Sequence, residues 1–188
     1  TLNSSGGGGN ITFTSTLDDD ASGSSDRTLT LNAGTGGDIA MQGVVGGGVP
    51  LSSLVISNAN DVTFSNTSTV NGALTQTTGV GTTTFTGAAS AGSYDVTATT
   101  GIVTSSTLTA TGVGNISLSS DSIDFANNVT GGGTITLADF DNDNSIGVDG
   151  GAGALLITNA ELGRLQDGFS EIIIGDGTSG TITLGAGG

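Results

Sequence analysis

The amino-acid sequence predicts an all-β fold, a parallel β-helix (β-solenoid), on three observations. A short phrase recurs along the chain, apolar–polar–apolar triplets follow one another throughout, and the composition is rich in Gly and poor in charge. The phrase reads Gly, then Asn, Asp or Thr, then Ile, then a small residue, then Phe, Met or Leu. Its copies are Gly9-Asn10-Ile11-Thr12-Phe13, Gly37-Asp38-Ile39-Ala40-Met41, Gly114-Asn115-Ile116-Ser117-Leu118, Gly133-Thr134-Ile135-Thr136-Leu137 and Gly180-Thr181-Ile182-Thr183-Leu184. Asn60-Asp61-Val62-Thr63-Phe64 is a degenerate copy. Each phrase encodes a turn and then a short strand, because Gly permits the turn and the triplet alternates at period two.

Two further patterns support stacking. Leu54-Val55-Ile56-Ser57-Asn58-Ala59 returns as Leu155-Leu156-Ile157-Thr158-Asn159-Ala160, and Leu-Thr ahead of Gly-x-Gly occurs at Leu29, Leu74 and Leu108. Identical phrases are expected at equivalent places on successive coils of about 20 residues, with rungs about 4.8 Å apart. Inward Ile, Leu, Val and Phe then stack on like residues, and the middle Thr or Ser of each triplet faces water. Asn58, Asn127, Asn128 and Asn159 fall at expected turns, where they are candidates for side-chain ladders. One segment departs from the pattern. Thr158 and Glu161 have capping-box spacing, Leu162 and Leu165 share a face, and Gly168 stands as a stop, which predicts a helix of about two turns.

Composition excludes several chemistries. Gly supplies 35 of 188 residues, but 34% are hydrophobic and the mean hydropathy is +0.17, more apolar than a flexible linker. Lys, His and Cys are absent, which removes thiolate, zinc-finger and His-based acid–base chemistry. The formal charge is −15, with Arg27 and Arg164 the only cationic side chains. Nucleic acid is therefore not an expected partner, since it demands several Lys or Arg along the phosphate backbone. No apolar run is long enough for membrane insertion as a helix. The whole chain, 1–188, is read as one β-solenoid domain, a segment of a longer repetitive protein or a fibre subunit.

The phrases around Leu54–Ala59, Gly37–Met41 and Leu74-Thr75-Gln76-Thr77-Thr78-Gly79-Val80-Gly81 resemble the repeats of filamentous-haemagglutinin-like and other large repetitive bacterial adhesins. So does Ile157–Leu165 followed by Ile172-Ile173-Ile174-Gly175. The resemblance extends over essentially the whole chain. It implies a right-handed parallel β-helical shaft, secreted or held at a bacterial cell surface. No binding residue is carried over from it.

Asp139, Asp141, Asp143 and Asp149 form the best candidate site. Carboxylates alternate in a tight loop, as calcium, a hard oxygen-seeking cation, requires; the alternative is a solvated acidic turn. Against an EF-hand loop the match is partial, because Asn144 replaces the Gly at the sixth position and Gly150 the Glu at the twelfth. Asp18-Asp19-Asp20 with Asp26 is a second acidic run, and Arg27 is expected to pair with it. Gly150-Gly151-Ala152-Gly153 lacks the Asp of a calcium-binding nonapeptide. Glu161 and Glu171 form no convergent pair for glycoside hydrolysis, so no catalytic residue and no organic cofactor is expected. Thr-x-Thr pairs at Thr12, Thr28, Thr84, Thr134 and Thr181 raise ice binding, but their spacing is irregular and outward Thr suits any strand. The expected function is structural: a non-catalytic extracellular shaft whose partners are neighbouring repeats or copies stacked end to end, or surface glycans. The alternative is a calcium-stabilised carbohydrate- or ice-binding solenoid.

Overall fold

A computed structural model describes residues 1–20, 26–141 and 144–185. Every strand pairing in it is parallel. In chain order the strands are β1 (Leu2–Asn3), β2 (Ile11–Phe13), β3 (Thr28–Asn32), β4 (Ile39–Met41), β5 (Ser53–Asn58) and β6 (Val62–Phe64). Next come the long β7 (Ser68–Gln76), β8 (Thr82–Phe85), the long β9 (Ala89–Thr97), β10 (Gly101–Thr104), β11 (Leu108–Ala110), β12 (Ile116–Ser119) and β13 (Ile123–Phe125). The last are β14 (Val129–Thr130), β15 (Thr134–Ala138), β16 (Ile146–Val148), β17 (Leu155–Ile157), β18 (Glu171–Ile174) and β19 (Ile182–Leu184).

These strands stack as a β-solenoid. One face runs β1-β3-β5-β7-β9-β12-β15-β18, and a second runs β2-β4-β6-β8-β10-β13. The third face is shared by the first halves of β7 and β9 with β11 and β14, because both long strands bend around a corner. Along the second face, Val62, Thr83, Ile102 and Ile123 are consecutive partners, 21, 19 and 21 residues apart. The coil is therefore close to the length expected from the repeats.

The interior is built from columns. Leu54, Leu74, Tyr94, Ile116 and Ile135 lie in register on the first face, and none is more than 2% exposed. Opposite them Phe64 and Phe85 stack with ring centroids 4.8 Å apart and planes 9° from parallel, and Tyr94 meets Phe85 edge-on at 6.2 Å. One rung above Phe85 its column holds the smaller Thr104, just where Tyr94 enters from the facing sheet. Bulk thus passes from one wall to the other at this level. Gln76 interrupts the inner column between Ile56 and Val96 yet stays satisfied: Thr83 Oγ1 donates to its Oε1 at 2.7 Å, and its Nε2 donates to Thr97 O.

Glycine marks the corner between the third and first faces. A Cβ on Gly114 would lie 1.6 Å from the carbonyl oxygen of Gly92, and one on Gly92 would lie 2.8 Å from that of Asn71. Backbones of successive coils press together here too closely for any side chain.

The recurring phrases do not share one face. Ile11, Ile39 and Val62 are in register on the second face, but Ile116 and Ile135 pair on the first, and Ile182 pairs with Ile146 elsewhere. Likewise Leu54 lies in β5 and Leu155 in β17, on different sheets. The phrase specifies a turn and the strand after it, and any corner of the solenoid can use that information. The ladder residues also differ from expectation. Asn58 Oδ1 is buried without a partner, and Asn127 Oδ1 accepts only from the adjacent Asn128 N–H. The ladder comes from the second position of the phrase instead: Asn10 Oδ1 accepts from Asp38 N–H, Asp38 Oδ1 from Asp61 N–H and Asp61 Oδ1 from Thr82 N–H.

Near the C-terminal end the coil order is broken. β17 lies against β13 on one side and pairs with β16 on the other, and β16 pairs in turn with β19. The chain therefore lays down β16 first and then steps back to insert β17 beneath it. Gly150–Gly153 makes this return: Gly153 passes over Gly147, and the N–H groups of Ala154 and Leu155 both donate to Ser145 O at the start of β16. The helix follows as α1, Asn159–Leu162, shorter than the two turns expected. Its capping box forms, with Thr158 accepting from Glu161 N–H and Glu161 accepting from Thr158 N–H. It ends at Gly163 rather than Gly168 because Leu165 leaves to bridge Val129 on the third face. Apart from a 3₁₀ turn at Ser5–Gly7, α1 is the only helix among the described residues.

Candidate functional site

Three surface features carry polar chemistry. The first is the acidic run at Asp18–Asp20. Asp19 turns its carboxylate into its own loop, where the N–H groups of Asp20, Asp26 and Arg27 donate to it at 2.8–3.0 Å. Burial alone would raise its pKa, but those amides and the Arg27 charge outweigh burial and hold it below the ordinary carboxylate range. Arg27 bridges to Asp19 at 3.4 Å and to Asp20, and Asp18 Oδ1 accepts from Gly48 N–H at 3.0 Å. The run thus ties Asp26, Arg27 and Gly48 to its carboxylates.

The second feature is a shallow open groove along the glycine corner, lined by Ser93, Asp95, Thr111, Val113, Asn115 and Ser117. Its walls are small, and Val113 projects from it at 84% exposure. It carries no aromatic side chain on which a sugar ring could stack, since Tyr94 faces the core. Outward Thr residues make mixed rows on the first two faces, where Thr84 stands between Thr63 and Val103 and Thr136 between Ser117 and Ile173, while the third face carries the row Thr69, Ser90, Thr109 and Thr130.

The third feature lies where the first face turns after β12 and β15. Asp139 follows β15 directly and is fully buried, stacked at the corner above Ser120. Asn144 N–H donates to its Oδ2 at 3.2 Å, while its Oδ1 has no partner. Asp141 lies outside it, accepting from Asn144 Nδ2 at 3.3 Å. Asp121, one coil below, contributes a second buried carboxylate oxygen without a partner. Burial, then the charges of Asp141 and Asp139, push its pKa up. Of the other residues predicted for this site, Asp143 lies outside the described residues. Asp149 stands beyond the far end of β16, about 10 Å of strand away, in a left-handed turn with φ 48° beside Gly150. Among the described residues no three Asp, Glu, His or Cys side chains gather as a metal-binding group. Asp121 escaped sequence reading because its nearness to Asp139 comes from coil stacking, not from spacing.

Glu161 is committed to capping α1, and Glu171 opens the exposed end of β18. The fold and these features define a β-solenoid repeat protein. Neither a family model, nor a curated protein, nor a solved structure matches the chain.

Proposed function

We propose that the chain is a non-catalytic structural shaft, a segment of an adhesin-like protein secreted by or displayed on bacteria, whose rungs continue end to end into further repeats or further copies. The observation that supports it is the state of the two terminal rungs. Ile172 sits in the same column as fully buried Ile135 but is 51% exposed, and Ile182 sits over buried Ile146 at 45%. At the other end Leu2 pairs with Leu31 and is 45% exposed. Among the described residues each of these apolar columns is open at its last rung, where β1, β18 and β19 each pair on one side only. Such edges recruit another strand of the same register, and a second copy offers one. The −15 charge along the sides opposes lateral bundling, so growth is longitudinal.

Electron microscopy and light scattering of the purified chain at micromolar concentration test the reading. Rods of variable length and constant width are expected, and Ile172→Asp combined with Leu184→Asp shortens them. A monodisperse monomer at all concentrations defeats the end-to-end reading. Labelling of intact source cells with an antibody to the chain tests the surface location.

A further inference from the structure

We infer that Asp121 and Asp139 together bind a divalent cation, with calcium as the chemically fitting ion, clamped between two adjacent coils. Each carboxylate presents one buried oxygen that no hydrogen bond satisfies, and Asp139 is wholly removed from water. A buried carboxylate oxygen without a partner is costly, and two on neighbouring rungs are costlier still, because their charges repel. Among the described residues no ion pair meets either carboxylate. Arg27 is engaged with Asp19 and Asp20 at another loop, Arg164 lies on the segment after α1, and Lys and His do not occur.

A proton shared between the two would neutralise one charge and leave Asp141 still pressing on Asp121. A divalent cation satisfies both orphaned oxygens at once and neutralises both charges. Calcium takes six to eight oxygens and accepts backbone carbonyls and water beside carboxylates, so two carboxylates suffice to start a weak site. The site differs from a loop-only site in needing Asp121, which belongs to the coil below. Bound calcium would thus tie coil to coil. Its presence is independent of whether the ends stack.

Titration calorimetry and thermal unfolding of the whole chain, with calcium chloride and with chelator, test this. Calcium is expected to give a saturable heat and to raise the midpoint of unfolding, since a ligand that binds only the folded state stabilises it. Asp121→Asn is partly exposed and leaves the fold intact; it should weaken binding at least tenfold, as should Asp139→Asn. Asp149→Asn should bind as the parent does. No heat and no calcium-dependent shift in the parent overturns the inference. So does binding that survives Asp121→Asn, which would place the ion elsewhere. A stability gain in Asp121→Asn with no calcium response in the parent would assign the pair to a shared proton and also overturn it.

Discussion

Asp38 Oδ1 accepts the backbone N–H of Asp61, one coil further along, at 3.2 Å. The same carboxylate oxygen accepts from Asn60 Nδ2 at 3.0 Å, so one side chain fixes the entry of the next rung. Asp61 repeats the arrangement toward Thr82 at 2.7 Å. Asp61→Ala is expected to cost about 1 kcal/mol, the usual net value of a partly exposed hydrogen bond. Asp61→Asn keeps the accepting oxygen and should remain within about 0.5 kcal/mol of the parent. Urea unfolding of the two variants separates these outcomes.

The glycine corner predicts a sharp contrast between near neighbours. Gly114→Ala drives a methyl into the Gly92 carbonyl and should cost about 3 kcal/mol or more, since backbone must move. Gly112→Ala meets open space, and only its φ of +62° opposes it, at about 1 kcal/mol. Gly6→Ala meets neither obstacle and should be neutral. Thermal unfolding of the three ranks them.

Tyr94 is the protein's one tyrosine, and its hydroxyl is buried without a partner. Burial pushes its pKa well above the ordinary phenol value. The folded state therefore holds the neutral phenol while the unfolded chain ionises near pH 10. Stability is complete below that pH and falls as pH rises above it, because only the unfolded state loses the proton. The expected absorbance result is no phenolate signal at pH 11 until the chain unfolds. Tyr94→Phe should abolish this pH dependence and match or exceed the parent's stability by about 1 kcal/mol, since it removes an unsatisfied buried group.

Ile135 and Ile172 are register partners with opposite exposure. Ile135→Asp places an unpaired charge among stacked rungs and should prevent folding at room temperature, with a loss above about 4 kcal/mol. Ile172→Asp meets water on one side and should leave the fold intact. Circular dichroism distinguishes the two.

The strand content and inward columns were legible because burial alternates with the same period as the residues: Ile135-Thr136-Leu137 reads inward, outward, inward both in sequence and in structure. Which face each phrase occupies was not legible. Gly114-Asn115-Ile116 and Gly37-Asp38-Ile39 are local instructions for a turn and a strand, and the corner they follow is fixed by the length of intervening chain. The capping box at Thr158 and Glu161 predicted the start of α1, but its end was decided by a tertiary bridge from Leu165 to Val129. Similarly, Asp139 was visible as a carboxylate in a tight turn, while its buried neighbour Asp121 was 18 residues away and concealed by the stacking.

The back-step between β16 and β17 gives the rod a direction under mechanical load. A pull on the chain beyond β19 first peels β19 from β16 and then β18 from β15, one hydrogen bond at a time. The next strand to leave, β17, lies between β13 and β16, with β16 still in place beyond it. It cannot be lifted away and must be dragged lengthwise, so its bonds break together instead of in succession. A pull from this end is expected to meet a stop at that rung; one from β1 should unwind coil after coil until it reaches the same strands.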